Sequence, residues 1–273
     1  MKEKKLIQSF SNPAFKFAKK AYVDKKFRMT QGLFACEGYK EITRALENNY
    51  KVLKVYTKKN SSKDFDEVLS KLENINYDFD YFELESNVFE KLSLKNKNLE
   101  SLILFERKKK KDLRKISKDS SLFFLACEAI EKPGNLGAIL RTAKLSGVSH
   151  FFCLDTKLDP LSPEVIRNSL GAVFDLEPIF MSSKEFKAFC DGLELEIMAA
   201  ALSPKAQDFL DFDYKKNLCF LFGSEAFGLS SFWLKNTSKH LKISMQENGP
   251  DSLNLSVSVA LFCFEKKRQE RKV

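Results

Sequence analysis

The spacing of apolar and polar residues changes near residue 120. From Leu122 onward, short continuous apolar runs alternate with segments of helical spacing. The apolar runs are residues 122–127, 150–154, 195–202, 218–222 and 240–244, and the helical segments are 136–146, 164–170, 183–190, 230–236 and 253–268. Continuous apolar strands separated by helices predict a parallel sheet that is covered on both faces. Because ligands of such sheets bind beyond the carboxyl ends of the strands, the residues that follow each strand are the candidates for a site.

The first part of the chain has a mixed pattern instead. Its spacing predicts short helices over 41–48 and 64–72, and strands over 51–56, 77–82 and 102–105. In the segment RKKKKDLRKISK the periodicity disappears, as is typical of a linker. We therefore expect an α/β protein in three parts. These are a small mixed α/β domain at 1–106, a basic linker at 107–118 and a parallel-sheet domain at 119–273.

Charge is distributed unevenly between these parts. The formal net charge is +9; residues 1–120 hold 28 Lys and Arg against 18 Asp and Glu, and residues 121–273 hold 18 against 19. A positive excess in one region indicates a polyanionic partner, either nucleic acid or an anionic membrane surface. The lack of an amphipathic helix with a strong apolar face argues against the membrane. Lysine used only for solubility is the alternative.

The apolar runs and the cysteines indicate the cellular compartment of the protein. No apolar run reaches the ~18 residues that span a bilayer, and the N-terminal residues lack the apolar core of a secretion signal. The six cysteines are scattered without a CxxC pair, and several lie in apolar runs. That pattern favours buried reduced thiols over metal ligands or disulfides. We expect a cytoplasmic protein with no membrane segment and no metal.

The segment after the first apolar run is EAIEKPGNLGAILRTA. Pro133 and Gly134 predict a turn, and Asn135 is placed to cap a helix beginning at Leu136. Arg141 would then lie on the second turn of that helix. A capped amphipathic helix with a solvated arginine is the alternative interpretation.

The segment after the fourth run is LFGSEAFGLS. The spacing from Gly223 to Gly228 and Ser230 mimics a nucleotide-binding P-loop, but Leu229 stands where the lysine is needed, which argues against an NTPase. What remains is a glycine-bounded loop carrying Glu225, or else a plain turn.

The segment after the fifth run places SLNLSVS at the start of an apolar helix. Ser252 is the expected N-cap, which leaves Asn254 and Ser256 to face a polar ligand.

Together, these three segments resemble the signature motifs of SpoU-type ribose 2′-O-methyltransferases of the SPOUT superfamily, in the same order and each after a predicted strand. The resemblance covers roughly residues 120–270. The segment SPEVIRNSLGAVFDLEP (162–178) is similar to that family's RxSxGAxF segment, and residues 11–46 are similar to the small substrate-binding domain of many ribosomal-RNA members.

The resemblance implies a sheet with a deep trefoil knot, an exception to the usual absence of knots, and a homodimer that binds S-adenosylmethionine. The implied substrate is RNA, with 23S ribosomal RNA favoured. A tRNA ribose methyltransferase and a catalytically silent RNA-binding relative are the alternatives.

The resemblance also assigns residues to the site. The implied catalytic residues are Asn135, Arg141, Glu225, Ser252 and Asn254. The implied cofactor-binding residues are Ala201, Leu202, Phe222, Gly223, Ile243, Met245 and Leu253. The chain departs from the family pattern at Ser244, where a proline is usual, and in a loop at 245–252 that is one residue longer.

The chemistry needs an aligned hydroxyl oxygen, methyl carbon and sulfur, and the removal of a proton from a weakly acidic alcohol. Both histidines, His150 and His240, border strands away from the motifs. Because an arginine side chain is a poor free base, Arg141 is expected to clamp a phosphate and stabilise the developing alkoxide. The proton would pass to a phosphate oxygen or to a transiently deprotonated Arg141.

Overall fold

Two β-sheets form the framework of the computed structural model. The structure describes residues 4–59, 66–75, 77–92, 100–109, 112–118, 121–214, 217–246, 248 and 252–271. The chain divides into two compact units, of which the first comprises residues 1–109 with 161–175 and the second 110–160 with 176–273. The segment 161–175 therefore belongs to the first unit, whereas the sequence pattern places it in the parallel-sheet domain.

The secondary structure is numbered along the chain. The strands are β1 Lys4–Ile7, β2 Leu33–Glu37, β3 Val52–Lys58, β4 Asp80–Leu84, β5 Ser101–Glu106, β6 Phe123–Glu128, β7 His150–Leu154, β8 Ile179–Met181, β9 Ile197–Ala200, β10 Gln207–Asp208, β11 Leu218–Phe222 and β12 Lys239–Lys242. The helices are α1 Pro13–Val23, α2 Lys25–Thr30, α3 Tyr39–Glu47, α4 Asp66–Glu73, α5 Ser86–Phe89, α6 Pro133–Ser146, α7 Pro163–Asn168, α8 Ala172–Asp175, α9 Ser183–Gly192, α10 Ser231–Asn236 and α11 Leu255–Glu270.

The first unit is built on a mixed five-stranded sheet. The strand order is β1-β4-β3-β5-β2, with β5 antiparallel to both of its neighbours and the other pairs parallel. The sequence pattern predicts three of these strands but does not predict β1, β2, α1 or α2. Strand β2 is buried along its whole length, so its residues do not alternate in polarity and give no strand signal. The first two residues of the helix predicted over 64–72 lie outside the described residues.

The segment 161–175 is held to the first unit by aromatic and charged contacts. The Phe174 ring lies 5.5 Å from Phe34 and 5.2 Å from Tyr50. Arg167 donates from Nη1 to the buried carboxylate of Glu37 at 3.1 Å. These contacts join residues more than 100 positions apart in sequence, which is why local periodicity assigns the segment differently.

The second unit carries a seven-stranded sheet in which every pair is parallel. The strand order is β10-β12-β9-β11-β6-β7-β8. The predicted parallel sheet is confirmed, and its five longest strands coincide with the five apolar runs to within a few residues. The pattern does not predict β8 or β10, which span only three and two residues. The trefoil knot stays a prediction.

A dense aromatic layer packs beneath the second sheet. Phe124, Phe152, Phe186 and Trp233 are fully buried, with ring centroids 5.0 Å apart for the first pair and 4.6 Å apart for Phe152 and Phe186. Burial of each such side chain stabilises the fold by roughly 1.5–3 kcal/mol. This layer supports the strands whose carboxyl ends form the site.

No helix in the described part of the chain is long and apolar enough to cross a membrane. Among the same residues, no group of three or more His, Cys, Asp and Glu side chains is arranged to hold a metal ion.

Candidate active site

A cavity of about 570 Å³ lies at the carboxyl ends of three adjacent strands, β12, β9 and β11. All seven residues expected to hold the cofactor line it, as do three of the five expected catalytic residues. They are Ala201, Leu202, Phe222, Gly223, Ile243, Met245 and Leu253, together with Glu225, Ser252 and Asn254. The position agrees with the general rule for ligand sites in parallel sheets.

A chain of hydrogen bonds joins the three motif segments at this cavity. Asn135 donates from Nδ2 to Glu225 Oε1 at 2.5 Å, and the Lys132 ammonium lies 2.6 Å from Glu225 Oε2. Asn254 in turn donates from Nδ2 to Asn135 Oδ1 at 3.3 Å. Both oxygens of Glu225 are therefore engaged, and the carboxylate raises the pKa of Lys132 through this hydrogen bond and its charge. We call these four residues the polar network.

Asn135 does not cap α6. The helix begins at Pro133, with Lys132 at the N-cap position, so Asn135 lies in the first turn. Proline is favoured at the start of a helix because its missing N–H would have no partner there. The expectation of an Asn135 cap was therefore wrong, and the side chain is available for the polar network.

Asn254, and not Ser252, is the N-cap of α11. Its Oδ1 accepts hydrogen bonds from the backbone N–H of Ser256 at 2.9 Å and from the Ser256 hydroxyl at 2.7 Å. Its Nδ2 remains available and donates to Asn135. An amide can do both because its oxygen accepts while its separate nitrogen donates. Ser252 is exposed on the cavity wall.

Arg141 is exposed on α6, on the third turn of the helix and not on the second as expected. In the part of the chain that the structure describes, no hydrogen bond or ion pair joins it to the polar network. Its clamping of a phosphate stays a prediction.

Gly223 and Gly228 allow the two ends of the second-segment loop to approach each other closely. Ser224 and Gly228 exchange backbone hydrogen bonds at 3.0 Å in both directions. A Cβ on Gly223 would lie 2.0 Å from the carbonyl carbon of Gly228, and Gly228 has a φ of +66°. Only glycine fits such an approach, so the pair holds Glu225 at the mouth of the cavity.

Glu128, which the sequence pattern did not indicate as a site residue, ties this loop to the first segment. It is the buried last residue of β6, and its Oε2 accepts from the backbone N–H of Ser230 at 2.8 Å. Its Oε1 accepts from the Ser230 hydroxyl at 2.7 Å and from the Ser183 hydroxyl at 3.3 Å. The Ser183 oxygen also accepts from Trp233 Nε1 at 3.0 Å. The sequence did contain a signal for Glu128, because a charged residue at the end of an apolar run is unusual.

Ser244, the departure from the family's proline, has a local partner. Its backbone N–H donates to Asp208 Oδ2 at 3.2 Å. Hydrogen bonds from the Ser244 side chain and from the Leu210 backbone N–H hold the pKa of Asp208 below its usual range. A proline could offer neither of the two Ser244 donors. In this chain the Asp208 contact restrains the loop next to Ile243 and Met245.

The described histidines and cysteines lie away from this chemistry. His240 contacts the hydroxyl oxygens of Ser203 at 2.8 Å and Thr237 at 3.1 Å, and burial lowers its pKa. All six cysteines are free and buried, and burial raises the pKa of Cys127 and Cys219 well above the usual value. A protonated buried thiol is a poor nucleophile.

The fold and cavity define an α/β protein with a ligand site at the carboxyl edge of a parallel sheet. The SpoU rRNA methylase family model matches residues 122–264, and the MRM3-like substrate binding domain model matches residues 12–100. The chain belongs to the SpoU rRNA methylase family. The resemblance stated from the motifs is thereby confirmed.

Individual relatives match about half of the chain. A tRNA (guanosine(18)-2′-O)-methyltransferase of Thermus thermophilus is 35% identical over 151 residues, 53% of this chain and 74% of that protein. An uncharacterized tRNA/rRNA methyltransferase of Synechocystis is 33% identical over 149 residues, which span 53% of its own length. The match thus spans about half of that relative.

Solved structures match over nearly the full length. The AdoMet-bound rRNA methyltransferase from Sinorhizobium meliloti superposes with a TM-score of 0.85 at 25% identity, covering 97% of both chains. An RNA 2′-O ribose methyltransferase superposes with a TM-score of 0.83 at 29% identity, covering 98% of this chain and 100% of that one.

Proposed function

We propose that this protein transfers a methyl group from S-adenosylmethionine to a ribose 2′-hydroxyl of RNA. The observation that carries the proposal is the polar network, which brings the three motif segments together at the rim of one cavity. Its Asn135 and Glu225 lie 90 positions apart in sequence. A family member that had lost its chemistry would have no need to keep this arrangement.

The cavity fits S-adenosylmethionine in size and lining. Its volume of about 570 Å³ lies within the range of small-molecule sites, roughly 300–1,000 Å³. Ala201, Leu202 and Leu253 offer apolar surface to an adenine ring, and Gly223 lets the backbone approach a ligand closely. When bound, the cofactor supplies an electrophilic methyl group on a sulfonium.

The chain's own residues supply alignment and charge. Asn135 and Asn254 fix the wall against which the ribose would lie, and Glu225 is oriented by the Asn135 and Lys132 contacts. Arg141 holds a substrate phosphate with its planar fork and stabilises the oxygen as its proton leaves. The proton passes to a phosphate oxygen, or to Arg141 when its guanidinium is transiently deprotonated.

Ribosomal RNA, of the 23S class, is the proposed substrate. Residues 12–100 match a substrate-binding domain, and the superposition on the Sinorhizobium rRNA methyltransferase extends over both units. tRNA is the second candidate, because the Thermus tRNA enzyme is similar to the catalytic half.

The proposed assembly is a homodimer formed through one face of α11. Val257, Leu261 and Phe264 are 46%, 40% and 47% exposed, and Leu210 is 57% exposed. They line an apolar groove of about 420 Å³. A second copy of the same face would cover these side chains, as expected for an isologous contact.

Light scattering on Leu261→Glu tests the assembly. The variant should elute as a monomer, whereas Leu6→Glu, which charges a leucine of the first unit that is 46% exposed, should remain dimeric. A dimeric Leu261→Glu protein would place the interface elsewhere. The proposed location is the cytoplasm, where six buried free thiols persist.

The decisive experiment maps ribose methylation across all cellular RNA with and without the gene. One 2′-O-methyl group should disappear from 23S rRNA and return when purified protein and S-adenosylmethionine are added. Loss from a tRNA would favour the second candidate. An unchanged map, together with a folded protein that binds no cofactor, would overturn the proposal.

A further inference from the structure

Two sets of lysines in the first unit differ in their charge partners. Those in or next to its strands and on α4 are matched by carboxylates: Lys4 with Glu83, Lys5 and Lys54 with Asp80, Lys51 with Glu106, Lys58 with Glu90, Lys59 with Glu85 and Lys71 with Glu47. Helices α1 and α2 differ. Residues 13–30 contain six Lys and Arg and a single acid, Asp24.

That single acid is already used by the backbone. The Asp24 carboxylate accepts a hydrogen bond from the backbone N–H of Phe27 at 2.9 Å and so caps α2. Lys16, Lys20 and Lys26 are exposed, and within the described ranges no carboxylate pairs with any of them. Helices α1 and α2 therefore carry a local positive excess.

The unpaired positive charges on α1 and α2 do not stabilise the fold, so their presence indicates a different role. Lys16 and Lys20 are four residues apart on α1, and like charges at that spacing destabilise a helix. The Lys20 ammonium lies 4.9 Å from the centroid of the Phe27 ring, which brings α1 and α2 into one surface. Phe10, shortly before α1, and Met29, on α2, are 46% and 54% exposed.

We propose that this surface, defined by Lys16, Lys20 and Lys26 with Phe10 and Met29 and called the α1–α2 face, binds the phosphate backbone of the RNA substrate. Unpaired lysines release counterions when they meet phosphates, and an exposed ring can stack on an unpaired base. The exposed apolar residues are few and separated, which favours RNA over a lipid surface. This inference rests on the proposed function and adds the site of substrate docking.

Two triple variants of the full-length protein test the face with equal loss of charge. In Lys16→Gln, Lys20→Gln, Lys26→Gln the α1–α2 face is neutralised. In Lys51→Gln, Lys58→Gln, Lys71→Gln the same three charges are removed from paired lysines of the same unit. Binding to a 23S rRNA transcript and to phosphatidylserine vesicles is measured between 50 and 200 mM salt.

The first variant should bind the transcript about tenfold more weakly or worse, with a salt slope reduced by roughly 2 to 3. The control should lose less than about threefold, and both should keep the wild-type cofactor affinity. Equal losses in both variants, or none in either while the wild type binds RNA, would overturn the α1–α2 face alone. A face that binds vesicles and not RNA would also overturn it. A wild type that binds cofactor but no RNA would overturn the proposed function itself.

Discussion

Arg141 is exposed on α6, where its guanidinium can meet a substrate phosphate. Arg141→Ala should slow methyl transfer by about 10²–10³, the usual loss on removing one transition-state donor. Arg141→Lys should rescue little, because an ammonium is a point charge and cannot hold a phosphate bidentately. Single-turnover methylation of the mapped RNA measures both. Cofactor affinity should stay unchanged, and near-normal turnover in Arg141→Ala would show a merely solvated helix arginine.

Glu128 should act on the site through Ser230 and not by touching substrate. Glu128→Ala leaves the Ser230 N–H without its partner, a loss of about 1–3 kcal/mol in stability, and frees the end of the glycine loop. We expect the KM for the cofactor to rise more than kcat falls. Glu128→Gln should restore much of the affinity, because its amide can still accept from that N–H.

Ser183→Ala is the matched control for Glu128. The substitution removes one hydrogen bond to the Glu128 carboxylate and the acceptor of the Trp233 Nε1 hydrogen bond. It leaves the hydrogen bonds between Glu128 and Ser230 in place. It should lower the melting temperature without changing the KM. If both variants shift only the melting temperature, Glu128 is part of the core and does not position the loop.

At the scale of elements, the glycine-bounded loop is tested by adding one methyl group. Gly223→Ala would place a Cβ 2.0 Å from the Gly228 carbonyl carbon, so the loop must open. Cofactor affinity, measured by calorimetry, should fall at least tenfold while the far-ultraviolet circular dichroism is retained. The control is Gly192→Ala, since a Cβ there meets nothing within 4 Å. Unchanged affinity in Gly223→Ala would show that the loop does not shape the cofactor cavity.

Helices and strands were predicted well where a single hydrophobic pattern continues over most of the element. Strands β7 and β11 begin and end where the apolar runs HFFCL and LCFLF do. The starts of α6 and α11 were misplaced, because Asn135 and Ser252 are good caps by residue type alone. Which residue caps a helix depends on what else its side chain can bond. For Asn135 and Asn254 those partners lie in other segments of the chain.

At the scale of the whole molecule, the segment 161–175 is covalently part of the run between β7 and β8 but packs in the first unit. A fragment that begins at residue 119 would contain it without Phe34, Tyr50 and Glu37. Tests of cofactor binding are therefore better made on the full chain.

Phe174→Ala measures this packing. The ring is 4% exposed, and its removal should cost about 3–5 kcal/mol in the unfolding of the first unit. In differential scanning calorimetry, the transition of the first unit is the one that shifts least when cofactor is added. This transition should move to lower temperature in the variant. Phe227→Ala removes the same atoms from a ring that is 91% exposed and should leave that transition in place. Equal shifts in the two variants would contradict the assignment.

The sequence by itself determined the parallel sheet, the order of the three motif segments and the location of the positive charge, because each is recorded in local periodicity or composition. The tertiary structure decided which atoms meet. Asn254 and Asn135 are 119 positions apart, and Glu128 and Ser230 are 102 apart. Short-range spacing carries no information about such pairs. They form because parallel strands bring their carboxyl ends to one edge, where side chains that cap helices or end strands become each other's partners.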